Sequence, residues 1–270
     1  MKIKNTKITA YLIGILMLGL GSCQTTPPAA KLNMDHLNVW VDNPTEAKDK
    51  LVEIGFTAVP DSLSNVHVGQ GTSGRYFYFL NSYLEFIFIY DENEFANNVK
   101  ANPALDFKER AESPTNEYLP FGVAINMEEY DPTKLPFETV AYYQEWMGAY
   151  DRIYTAKNSK LNPSEPTVFT MFPEIKYDVF DSVDDLMNIP EEYAIWREFH
   201  KHKNGAQKIT NVKIRTTKID PASETANMIN GLENVELVVG KECLMEIYFD
   251  QHKQGKVFDL RPEVPLKIYL

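Results

Sequence analysis

The chain has 270 residues, 44% of them hydrophobic and 12% aromatic, so it can bury a substantial core and disorder is excluded as its default state. A net charge of −11 works against nucleic acid or an anionic bilayer surface as a partner. Two cysteines are too few for a disulfide-stapled scaffold, and no serine-hydrolase elbow, HExxH, CxxC pair, P-loop or dinucleotide fingerprint occurs.

The N-terminus reads as a targeting segment. Lys2, Lys4 and Lys7 precede an apolar run, 8–20, that is too short for a membrane span. The run ends in Leu20-Gly21-Ser22-Cys23, which resembles a bacterial lipobox. The reading is a lipoprotein signal peptide over 1–22, lipidation of Cys23, and a lipidated tether over 23–32 whose Pro and Thr content suits a solvated linker. Removing the three leader lysines takes the net charge from −11 to −14. A membrane would then be reached through lipid alone, in the cell envelope and outside the cytoplasm. Lipidation leaves Cys243 by itself, expected as a small buried residue of a strand.

From Asp35 the pattern becomes βαβββ. Leu37, Val39 and Val41 share one face of a strand; Met34, His36, Asn38 and Trp40 take the other. Asn43-Pro44 starts a helix, Ala47, Leu51 and Ile54 form its buried stripe, and Gly55 ends it. A short strand over 56–60 follows, then a hairpin of strands 74–80 and 83–90 turned at Asn81-Ser82. Tyr83, Glu85, Ile87 and Ile89 share a face, with Leu84, Phe86 and Phe88 opposite. The stretch from His67 to Arg75 contains Gly69, Gly71 and Gly74. Its glycines free the backbone to approach a ligand, and Thr72 and Arg75 could hold an anion. The plain alternative is a hairpin loop with Arg75 on the surface.

Residues 92–118 form an acidic connection. A second unit, about 119–180, opens with a strand at Phe121 and continues with a helix over 136–147 and a strand over 167–172. A helix starting at Pro190 uses Tyr193, Trp196 and Phe199 or His200 as its stripe and ends at Asn204-Gly205. His200 and His202, two apart, point different ways and read as solvated caps. A third unit, about 206–270, repeats the first: a strand from Ile209, a helix from Asp220-Pro221 through Ile229, and strands over 235–239, 244–249 and 266–269. Laid over the first unit, Asn211 falls at His36 and Lys267 at Glu85.

The DHL-type first strand, the helix ending in EIGF, the hairpin GRYFYFLNSYLEFI and the later pieces HKNGAQKITNVKI and QGKVFDLRPEVPLKIYL come in a telling order. Together they resemble the vicinal oxygen chelate superfamily, and within it the glyoxalase-like domain family. The resemblance covers 33–270 and implies an α+β fold of repeated βαβββ modules (about 33–91, 119–180 and 206–270) whose curled mixed sheets surround a cup. It also implies that first and last strands of each module hold a divalent metal, which chelates two neighbouring substrate oxygens. Carried over, His36 and Glu85 match two of the four ligand positions, Glu85 doubling as the catalytic carboxylate. Asn211 and Lys267 stand at the other two, and asparagine is a poor ligand while lysine is none at neutral pH. Two readings stay open. One is a binder that holds a small organic ligand in the cup, lined by His36, Trp40, His67, Thr72, Arg75 and Asn211. The other is a lyase, isomerase or dioxygenase acting on a small oxygenated metabolite, with Zn, Ni, Mn or Fe on His36 and Glu85. A homodimer is compatible with either.

Overall fold

The computed structural model describes residues 30–270, so the expected signal peptide and Cys23 lie outside the described residues. In chain order the elements are β1 (Leu32–Trp40), α1 (Pro44–Glu53), β2 (Val66–His67), β3 (Thr72–Tyr78), β4 (Tyr83–Ile89), α2 (Glu92–Ala101), α3 (Phe107–Ala111), β5 (Phe121–Met127), β6 (Thr139–Tyr142), β7 (Ile153–Ala156), α4 (Asn158–Leu161) and β8 (Thr167–Thr170). There follow α5 (Ile195–Phe199), β9 (Ile209–Thr216), α6 (Glu224–Ile229), β10 (Val235–Val239), β11 (Leu244–Phe249), β12 (Val257–Asp259) and β13 (Leu266–Tyr269). Helix α1 starts where its sequence requires, the Asn43 side chain accepting the Glu46 N–H at 3.2 Å with Pro44 at the first position.

Eight strands form one mixed sheet in the order β2-β3-β4-β1-β5-β8-β7-β6. Its centre is the antiparallel pair β1–β5. On either side the last strand of a unit lies parallel to the first, β4 beside β1 and β8 beside β5. The first two units are therefore halves of one curled sheet. Alternation assigns its faces: Leu37, Val39, Leu84, Phe86 and Val123 enter the core. His36, Asn38, Trp40, Tyr83, Glu85 and Ile87 face the opposite way and line a cavity.

The third unit builds a separate five-stranded sheet, β10-β9-β11-β13-β12. Its apolar face, with Val212, Ile214, Met245 and Ile247, shares one core with the first sheet and with α1 and α6. Each such side chain, fully buried, is worth roughly 1.5–3 kcal/mol. One face of the first sheet is thus committed to stability and the other is left for a site.

The register corrects one expectation. Val212 pairs with Val235 and Ile247 as Leu37 pairs with Leu84 and Val123. Strands β9, β10, β11 and β13 thereby repeat β1, β4, β5 and β8 in shortened form. Asn211 does stand where His36 stands. Lys267, however, pairs with Glu246 as Thr167 pairs with Gly122, and the position of Glu85 is held by Glu236 opposite Lys213. The cause is strand order: β13 lies beside β11, whereas β4 lies beside β1.

Other local differences have local reasons. Residues 139–142 are not helical, because Thr139, Val140 and Tyr142 gain cross-strand partners on β7. Residues 56–60 are irregular. The helix expected from Pro190 onward contracts to Ile195–Phe199 after a short 3-10 turn. Cys243 is exposed, ahead of β11.

Candidate functional site

The site begins with an irregularity in β1. Its pairing with β5 shifts between Met34 and His36, so Asp35 is the extra residue of a bulge. Asp35 can then meet its own neighbour, with Oδ1 at 2.8 Å from His36 Nδ1. It also accepts from the Tyr177 N–H at 2.9 Å and from Asn126 Nδ2 at 3.2 Å. Burial alone would raise the Asp35 pKa. The hydrogen bond and charge of His36, with the two further donors, outweigh burial and hold it below the ordinary carboxylate value. The His36 ring stacks on Tyr83 with centroids 4.1 Å apart and meets the edge of Phe169 at 5.5 Å.

Two residues further on, the β1–β4 register sets Asn38 beside Glu85. Glu85 is only 5% exposed, and its Oε1 has no hydrogen-bond partner; Asn38 Oδ1 has none either. The His67 imidazole approaches the carboxylate, with Nε2 at 3.4 Å from Oε1. That ring is held between Thr72 Oγ1 at 2.7 Å and the Tyr76 hydroxyl at 2.9 Å. Burial first, and the charge of Glu85 second, push the Tyr76 and Tyr83 hydroxyls well above their ordinary pKa and Tyr78 up to about 12. All three rings therefore stay protonated at neutral pH. Two glycines make room for this arrangement. A Cβ on Gly74 would lie 2.4 Å from the Tyr76 hydroxyl and 2.5 Å from Glu85 Oε1, and one on Gly122 would lie 2.1 Å from Asn38 Oδ1.

The cavity encloses about 1250 Å³. Trp40, Tyr76, Tyr78 and Phe169 rise from the sheet, and Tyr177 and His200 come from the long connection 171–208. That connection is stitched down by backbone acceptors: Phe180 N–H donates to the Leu80 carbonyl at 2.7 Å and the Tyr177 hydroxyl to the Phe79 carbonyl at 2.5 Å. His202 donates from Nε2 to the Tyr78 carbonyl at 3.0 Å and accepts the Thr57 N–H on Nδ1 at 2.9 Å. One fixed donor and one fixed acceptor impose a neutral ring, and burial drives the His202 pKa down to about 4. His200 and His202 are buried side chains, not the solvated caps their spacing suggested.

Among the residues singled out from sequence, His36, Trp40, His67 and Glu85 all line this cavity. Thr72 sits behind His67 and fixes it. Arg75 does not reach the cup. It lies between Gly74 and Tyr76, so alternation sends it to the other face, where its guanidinium covers Phe88 at 4.7 Å and Nε stands 3.2 Å from Asp61. Asn211 is on the second sheet, its Nδ2 3.4 Å from Glu236 Oε1, and takes no part in the cavity wall. Asp35, Asn38, Tyr76, Tyr177 and His200 were not foreseen. The alternation through Tyr76, Tyr78 and Tyr83 could have exposed the tyrosines; no local signal marks Tyr177.

The metal that the resemblance implies can be tested against the donors. His36 turns Nδ1 to Asp35, and Glu85 stands beside Asn38 instead of His36. From the other half of the sheet, alternation turns Gly122 and Ala124 of β5 and Thr167 and Phe169 of β8 away from the core. Among the described residues, no three His, Cys, Asp or Glu side chains come together as a metal-holding group. This donor set does not fit the metal.

The family comparison agrees with the architecture. Residues 34–142 match the model of a glyoxalase-like domain. No curated protein matches the sequence. Among solved structures, a hypothetical protein from Staphylococcus aureus is similar at 12% identity with a TM-score of 0.49, over 88% of this chain and 98% of its own. The matched segment runs from β1 through β6 and contains His36, His67 and Glu85. Residues 34–142, folded as a curled mixed sheet, therefore belong to the glyoxalase-like domain family of the vicinal oxygen chelate superfamily.

Proposed function

We propose that this protein binds a small organic ligand in the cavity of the first sheet, as a member diverged from metal-dependent relatives. The observation that carries the reading is an aromatic cavity of about 1250 Å³ whose floor holds buried polar atoms without partners. Small-ligand sites are concave, mostly apolar and furnished with a few convergent polar groups. The test is a thermal-shift screen of the purified protein in EDTA against a library of small metabolites. A ligand present at about a hundred times its Kd adds about 2.7 kcal/mol, or roughly 5–10 °C for a chain of this size. A flat screen overturns the proposal.

A second reading rests on the contact between Glu85 and His67 at 3.4 Å. A carboxylate next to an imidazole can move a proton on a bound substrate without a metal. Turnover of a screened ligand, lost in His67→Gln, would establish it; binding without turnover leaves the binder.

We further propose that Cys23 carries lipid and tethers the cavity outside the cytoplasm. Cys23→Ala is expected to move the protein from the membrane fraction to the soluble fraction. Persistent membrane attachment of that variant overturns the anchor.

A further inference from the structure

We propose that the ligand is an organic amine whose ammonium group is received by Glu85 and Asn38, an inference that rests on the binding function above. Glu85 Oε1 and Asn38 Oδ1 are buried acceptors on adjacent strands, paired in register, and neither makes a well-formed hydrogen bond. A buried carboxylate oxygen without a donor is costly, and a ligand that brings N–H groups removes that cost. The nearest protein donor is the Tyr76 hydroxyl, a neutral group that is shared with His67 and brings no positive charge to the carboxylate. His67 Nε2 stays at 3.4 Å from Glu85 and faces the Tyr76 hydroxyl at 2.9 Å. Arg110 also lines the cavity, but its Nε donates to Asp106 at 2.8 Å, and its other nitrogens donate to the Leu119 and Ser159 carbonyls at 2.8 and 2.9 Å.

The surroundings favour the same sign of charge. Tyr76, Tyr78 and Tyr83 pack around the carboxylate with ring centroids 5.5–6.2 Å apart, and aromatic faces attract cations. Their hydroxyls stay protonated and uncharged. Asp178, Asp181 and Asp185 also line the cavity, outnumbering one lysine, Lys176, so the local field draws cations inward. A carboxylate ligand would meet Glu85 with no matching cation. The volume leaves space for an aromatic or aliphatic body behind the ammonium group.

Isothermal titration of the full-length protein with phenethylamine, phenethyl alcohol and hydrocinnamate separates the cases, because the three share a ring and differ in headgroup charge. The amine is expected to bind about tenfold or more tighter than the alcohol, and hydrocinnamate weakest. Glu85→Gln, which preserves shape, is expected to erase the advantage of the amine and to keep the alcohol. Equal affinity for amine and alcohol, or tightest binding of hydrocinnamate, overturns the amine inference while the binding function stands. No binding of any of the three also overturns the amine inference, and the library screen then decides the binding function separately. If Glu85→Gln does not fold, the wild-type ranking decides alone.

Discussion

His202 fastens the connection over the cavity only while its ring is neutral. In the unfolded chain the imidazole titrates near 6.5, and in the folded protein near 4. Above pH 6.5 both states are neutral, so the whole of its contribution is present. Between 6.5 and 4 the unfolded chain takes up a proton that the folded protein refuses, and stability falls as pH falls. Below 4 both states are protonated and the loss stops. The interval from 6.5 to 4 corresponds to about 3 kcal/mol at roughly 1.4 kcal/mol per pH unit. For a chain of this size that is a fall in Tm of roughly 6–12 °C. Burial also lowers the pKa of His200, so the wild-type slope contains both rings. His202→Gln keeps an acceptor for the Thr57 N–H and a donor for the Tyr78 carbonyl but cannot titrate. Thermal melts near neutral pH and at about pH 4.5 should show the variant losing about 2 kcal/mol less than the wild type. Equal losses in the two proteins would refute the reasoning.

The remaining expectations follow from named contacts. Gly74→Ala places a methyl group against Tyr76 and Glu85, and should cost about 1–3 kcal/mol by denaturant unfolding and weaken ligand binding; wild-type values for both would show that the floor yields. Arg110→Met strands Asp106, which is 4% exposed, and should cost about 3–5 kcal/mol; a loss under about 1 kcal/mol would count against that pairing. Zn, Ni, Mn or Fe should leave Tm unchanged, whereas a rise abolished by His36→Ala would overturn the argument from the donors. Asn211→Ala should leave ligand binding as it is, and a large loss would mean that the second sheet takes part in the site.

Much of the first unit was legible because its code is local. Period-two alternation in β1 and β4 separates Leu37, Val39, Leu84 and Phe86 from His36, Trp40 and Glu85, and the fold obeys it. The same rule applied to Gly74, Arg75 and Tyr76 would have turned Arg75 away from the cup. The placement of Lys267 failed for a different reason. Which strand lies parallel to β9 depends on contacts far apart in the chain, and a repeated βαβββ pattern does not reveal that β10 takes the place expected of β13. The inward turn of His200 and His202 is likewise long-range, since the Tyr78 and Thr57 backbone groups that His202 meets lie more than a hundred residues away.

The bulge at Asp35 has a wider meaning. Inserting one unit into a ladder normally inverts everything on one side of it, but here the slip is absorbed between Met34 and His36 while Leu37 to Val39 keep their partners. A strand can acquire an acid for its own imidazole in this way without rewriting the hydrophobic surface behind it. Chemistry on one side of the sheet can then drift while the packed side is conserved by geometry, so a single inherited scaffold can host sites that differ in what they hold.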